Sequence, residues 1–261
     1  MTLKKALLSL LKILGITAFW LSLWLLVSFK VSNELLFPSP LATLKALLAL
    51  SLTKSFWVTA LSSLSRVFLG IIISFILGIA LAIATENSKI IKSILSPSLS
   101  VIKATPVASF IILALLWLSR SILPAFVTAL LVIPIVWSNV SEGIRSVDTN
   151  LKEVAKIYKF SLKDKLFKLY IPSVAPFFTA ACKSSLGMAW KAGISAEVLS
   201  TPKNAIGTEL YFSKTYFETP SLFAWTIVVV VLSILIEKLF VFSLQKLGNR
   251  FHITPRRTTA I

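Results

Sequence analysis

The chain has 261 residues, 56% of them hydrophobic, with a mean hydropathy of +0.88, which is too apolar for an ordinary soluble domain and points to a membrane protein. A formal net charge of +17 would also suit a nucleic-acid binder. The lysines and arginines, however, gather at the N-terminus, in the 141–170 loop and in the C-terminal tail, so the expected partner is a lipid bilayer with a cytoplasmic basic bias and not nucleic acid.

Lys4, Lys5 and Lys12 precede an apolar run over 13–29. The start is like a signal peptide, but the run approaches span length and no small-x-small cleavage site follows. Residues 1–36 therefore read as an N-terminal segment with an uncleaved first span. Phe37-Pro38-Ser39-Pro40 is a stiff break, and Leu41, Leu44, Leu47 and Leu48 then recur at helical spacing. That stretch is too short to cross a bilayer and is expected as an interfacial helix on the outer side. The second span is expected over 56–84, where Gly70, Ser74, Gly78 and Ala82 form a smooth ridge that lets helices approach closely in lipid. Arg66, in its outer third, is expected to snorkel towards the headgroups.

Glu86, Asn87, Lys89 and Lys92 read as an inner loop, and 101–118 as a third span with Lys103 and Thr105-Pro106 near its entrance. Pro106 either occupies a first helical turn or kinks the span. Residues 119–121 make a short outer turn, 122–140 a fourth span with Pro124 and Pro134, and 141–148 return the chain inside.

A polar, basic island follows over 151–172. Leu151, Val154, Ala155 and Tyr158 stand at i, i+3, i+4 and i+7, one face of a helix, with Lys152, Glu153, Lys156 and Lys159 on the rest of its surface. Ser161, with Asp164 three residues on, suits the start of a second helix showing Leu162, Leu166, Leu169 and Tyr170 on its apolar side. Pro172 then suits the first turn of the next span. Two amphipathic helices between spans would make a lever. The plainer reading is a basic amphipathic loop lying on anionic lipid.

The fifth span, 172–198, carries a second small ridge, Ala181, Ser185, Ala189 and Gly193, beside Lys183, Trp190, Lys191 and Glu197. Either these polar residues line a translocation path, or Lys183 snorkels inward and Glu197 already lies at the outer boundary. Residues 200–221 read as a polar outer loop, 222–242 as the sixth span, and 249–261 as a loose basic cytoplasmic tail. The expected fold class is an all-α membrane protein of about six transmembrane helices, both termini cytoplasmic. No phosphate loop G-x-x-x-x-G-K-[ST], paired carboxylates or Ser/His/Asp set is present, and Cys182 and His252 each stand alone. No catalytic residue, metal site or cofactor is expected in the chain, and transport energy must come from a partner or an ion gradient.

Glu153, Val154, Ala155, Ile171 and Pro172 resemble the EAA motif of ABC-importer permeases, with Lys159 where that family usually has Gly. The Phe37-Pro38-Ser39-Pro40 lead-in, the run from Gly143 through Arg145-Ser146-Val147-Asp148, and Ala189-Trp190-Lys191 followed by Ala196-Glu197 are similar to the nitrate, sulfonate and taurine branch. The resemblance covers roughly 37–248, which it implies is one permease domain with a coupling loop at 151–172. It implies coupling to an ATPase through Glu153, Ala155, Lys159, Ile171 and Pro172, with ATP and Mg on that partner. It further implies an extracytoplasmic substrate-binding protein, a second copy of the chain, and a prokaryotic cell membrane as the location. The implied substrate is a small anion such as a sulfonate, taurine or nitrate. The alternatives are a thiamine-precursor-like solute or an ion-coupled secondary transporter, although internal repeats are not evident.

Overall fold

The structure is a computed structural model that describes residues 3–250. The tail beyond them, His252 included, lies outside the described residues.

Helix α1 (Leu3–Val31) contains a span-length apolar window, Leu14–Val31, none of which is buried against the rest of the chain. It is held at its C-terminal end, where Trp24 Nε1 donates to Pro38 O at 3.0 Å and Ser28 Oγ to Phe37 O at 3.4 Å. Helix α2 (Pro40–Ser51) is the expected short helix. Pro40 sits in its first turn and Ser39 caps it by accepting from the Ala42 amide at 3.1 Å.

Helix α3 (Lys54–Asn87) and helix α6 (Leu123–Arg145) form the centre with α9 (Ile171–Ser200). Both small ridges are buried there. A Cβ added at Gly70 would lie 2.5 Å from Ala125 O and 2.7 Å from Thr128 Cβ, and one at Gly78 would lie 2.7 Å from Val136 Cβ. A Cβ at Gly193 would collide with Val67 Cγ2. Backbones this close gain dispersion contacts that larger residues would forbid, and those contacts must hold helices together where lipid removes the hydrophobic drive. In α6, 56% of the span window is buried, against 33% in α3, which makes α6 the axis of the bundle.

The third span is not the straight 101–118 segment expected. Helix α4 (Lys89–Ala104) begins well before it, in the supposed inner loop, where Ser88 ends α3 and caps α4 through the Ile91 amide at 3.3 Å. After Thr105 and Pro106 the chain bends by 105° into α5 (Val107–Ala114). Pro106 has no N–H to continue the ladder and drives Thr105 into an extended conformation, φ −80° and ψ 134°. The kink reading of Pro106 is the one observed.

Helix α7 (Thr149–Ile157), the short α8 (Leu162–Asp164) and a π-helical segment, Lys165–Tyr170, lead into α9. The outer loop expected over 200–221 contains a further helix, α10 (Ile206–Thr215), before α11 (Thr219–Arg250). Trp190, buried in α9, fixes α11 by donating to Val229 O at 3.0 Å.

Among the described residues four helices, α1, α3, α6 and α11, are long and apolar enough to cross a membrane, and the bent pair α4–α5 adds a fifth. Helix α9 has 30 residues, about 45 Å of helix, but Lys183, Lys191 and its small polar residues keep it less apolar than the others.

Candidate functional site

The lever residues lie at one end of the bundle. Asp148 caps α7 by accepting from the Asn150 amide at 2.8 Å, so the chain turns into α7 directly after α6. Of the face Leu151, Val154, Ala155 and Tyr158, only Ala155 is buried; it packs with Val147 and Leu169, and Phe160 and Tyr170 close over them. Leu151, Val154 and Tyr158 stay exposed, and so does Glu153, which has no ion-pair partner among the described residues.

Helix α7 ends in a Schellman turn. Lys159 N–H donates to Lys156 O at 3.1 Å and Phe160 N–H to Ala155 O at 2.9 Å, and Lys159 holds φ 49°. A lysine in this left-handed conformation brings Cβ against the following carbonyl, a cost of about 1 kcal/mol that glycine avoids. Lys159→Gly is therefore expected to raise the stability of the purified protein by up to about 1 kcal/mol, less the entropy that glycine adds to the unfolded chain. An unfolding midpoint equal to or below that of the parent would show that the turn is not strained.

Ser161 starts the second arm as expected, accepting from the Asp164 amide at 3.1 Å and donating to Asp164 Oδ2 at 2.6 Å. The bonds from Lys168 and then Ser161 hold the Asp164 carboxyl below the ordinary carboxylate range. The arm is not a separate helix before Pro172. It runs through the π segment, where the Ile171 amide reaches five residues back to Leu166 O, and continues into α9. Ile171 and Pro172 are exposed at this join. Helix α7 thus packs through Ala155 against an arm that is continuous with α9.

The four polar residues of α9 separate into two pairs. Lys183 and Lys191 are exposed and line a cavity of about 800 Å³ with Lys103, Thr105, Gly187 and Glu237. Trp190 and Glu197 do not line that cavity and are buried in the bundle. Glu237, on α11, was not singled out from the sequence; a carboxylate inside the sixth span was the available signal.

Arg66 does not snorkel. Its guanidinium pairs with Glu197 Oε1 at 3.1 Å and donates to Lys203 O at 2.7 Å and Asn204 O at 3.1 Å. Glu197 Oε2 accepts from Ser63 Oγ at 2.8 Å and from the Gly207 amide at 3.1 Å, and Ser63 Oγ accepts from the Ile206 amide at 2.9 Å. Gly207 is required there because a Cβ would strike Glu197 and the Val198 amide. These bonds tie the 201–205 turn and the start of α10 to α3, at the end of the bundle opposite the lever. Sequence reasoning missed the pair because its members stand 131 positions apart.

A family model described as "Binding-protein-dependent transport system inner membrane component" matches residues 70–250. The chain belongs to that family. As a binding-protein-dependent transport component, it is 28% identical over 170 residues to a putative aliphatic sulfonates transport permease protein of Bacillus subtilis, covering 65% of this chain and 61% of that one. It is 30% identical over 149 residues to a nitrate import permease protein of Leptolyngbya laminosa, with coverages of 56% and 52%. A bicarbonate transport system permease protein of Synechococcus elongatus is 27% identical over 156 residues, with coverages of 58% and 55%. The match thus spans 52–61% of the length of these relatives. The crystal structure of an amino acid ABC transporter with histidines superposes with a TM-score of 0.57 at 19% identity, covering 70% of this chain and 90% of that one, which is a likeness of fold.

Proposed function

We propose that this chain is the permease subunit of an ATP-driven importer, carrying a small anion delivered by an external binding protein. The observation that carries the reading is the lever, an exposed helix whose Glu153 has no ion-pair partner among the described residues, joined through a fixed turn to a helix continuous with α9. In this reading the lever end is cytoplasmic and a separate ATPase subunit, which holds ATP and Mg, engages α7. Closure of two such ATPases moves two levers, so two copies of the chain act together. The charges of Lys183, Lys191 and Glu237, exposed on the single chain at membrane depth, call for water or a second copy beside them, which supports a shared path between copies. Sulfonates, nitrate and bicarbonate, the substrates named for the relatives, are small anions that the lysines of the cavity would attract. The chain supplies no catalytic group of its own in this scheme.

Glu153→Lys is expected to abolish uptake in reconstituted complexes while leaving membrane insertion and the unfolding midpoint unchanged, because the Glu153 side chain is exposed and has no ion-pair partner among the described residues. Undiminished uptake with unchanged ATPase binding would remove the lever from the mechanism. For the path, single cysteines in a Cys182→Ala background discriminate the faces of α9. Gly187→Cys and Lys191→Cys are expected to react with water-soluble thiol reagents and to change rate with ATP, whereas Ile194→Cys, on the buried side, stays inert. Inertness at all three positions would put the path elsewhere.

A further inference from the structure

A second cavity, of about 690 Å³, lies between the lever and the bundle, within the range of about 300–1,000 Å³ typical of small-molecule sites. Its chamber is apolar, walled by Ile79 and Ile83 of α3, Val140 and Ile144 of α6, and Val174 and Phe178 of α9. Its polar lining is confined to the lever end: Glu86 and Asn87 where α3 stops, Arg145 where α6 stops, Lys152 on α7, and Tyr170. Ile79, Ile83 and Glu86 fall on one face of α3, so the chamber extends about 10 Å along the spans from its charged mouth.

The mouth keeps positive charge unspent. Glu86 is already held by Lys92 at 3.1 Å and Arg145 at 3.4 Å, and Arg145 also pairs with Glu142 at 3.5 Å, so the unspent charge is that of Lys152. Lys152 is half-buried and has no ion-pair partner among the described residues. A basic mouth at the ends of the helices above a dry chamber parallel to them matches an amphiphile with an anionic head, and basic pockets between helices at the cytoplasmic side take acidic lipid headgroups. A free hydrophilic anion would find no polar partner beyond the mouth.

We propose that this cavity binds one anionic phospholipid of the cytoplasmic leaflet, its phosphate against Lys152 at the rim and an acyl chain along the wall of Ile83, Val140 and Phe178. The assignment rests on the lever end being cytoplasmic, and on neither the transported solute nor the ATPase. Because the lining comes from α7 and the π segment as well as from the spans, a bound lipid braces the lever against the bundle.

Native mass spectrometry of the full chain, delipidated and released from nanodiscs of phosphatidylglycerol or phosphatidylcholine, tests it without any ATPase present. A failure of the transport reading, such as full uptake by Glu153→Lys, therefore leaves this result untouched. The parent is expected to retain one phosphatidylglycerol in preference to phosphatidylcholine. Lys152→Ala is expected to weaken that preference about fivefold, the worth of one basic residue near an anionic headgroup. Ile83→Trp, which fills the chamber, is expected to abolish retention of either lipid, and Lys163→Ala, on the exposed lever surface, to change nothing. Equal retention of the two lipids by the parent overturns the proposal, whichever variants fold. So does a preference unaltered in both Lys152→Ala and Ile83→Trp. Protection of the parent from heat by inorganic phosphate alone, to the extent given by phosphatidylglycerol, would assign the mouth to a free anion and overturn the lipid.

Discussion

Arg66→Ala is expected to destabilise the bundle by about 3–5 kcal/mol, the usual result of stripping one partner from a buried ion pair. The side chain of Glu197 has no exposed surface and that of Arg66 retains 17%, so the change strips a buried carboxylate of its cationic partner. The same change removes the donors that hold Lys203 O and Asn204 O, and the 201–205 turn, with Thr201 and Asn204 in the left-handed region, loses its tether to α3. Adding Glu197→Gln is expected to recover much of the loss, because the amide oxygen still accepts from the Gly207 amide while no bare charge remains buried. The check is the unfolding midpoint of the parent, the single variant and the double variant, together with protease sensitivity of the 201–205 turn. A single variant as stable as the parent would mean that the pair carries no structural load.

Gly70→Ala is expected to destabilise by about 1–3 kcal/mol, the usual range for overpacking a tight interface. The new methyl would stand 2.5 Å from the backbone oxygen of Ala125, which cannot swing aside as the end of a flexible side chain could. On propensity alone the change should stabilise a helix by about 1 kcal/mol, so the sign of the effect isolates packing. Gly15→Ala in α1, where nothing lies within 4 Å of the added carbon, supplies the comparison and should be neutral or stabilising. Equal behaviour of the two variants would show that α3 and α6 do not depend on the close approach.

Composition and periodicity by themselves determined the class of the protein, the long apolar helices, the short capped helix after Ser39 and both small-residue ridges. Each of these is written in local spacing: a ridge of Gly70, Ser74, Gly78 and Ala82 is legible because one helical turn returns every fourth residue to the same face. Helix α7 and the Ser161–Asp164 cap were legible for the same reason, whereas position 159 stood out only because the resembling family has glycine where this chain has lysine. Tertiary structure alone decided the remainder. It bent the third span at Pro106, although a proline pattern fits a first turn or a kink equally well, and it folded α10 out of a stretch whose polarity reads as loop. It merged the second arm of the lever with α9, since a π segment leaves no mark in hydrophobic spacing. It turned Lys183 and Lys191 towards a cavity and Glu197 away from it, into Arg66. Opposite charges on different spans have no sequence relation, and only packing α3 against α9 brings their side chains within reach, because burial in lipid makes an unpaired charge too costly to leave alone.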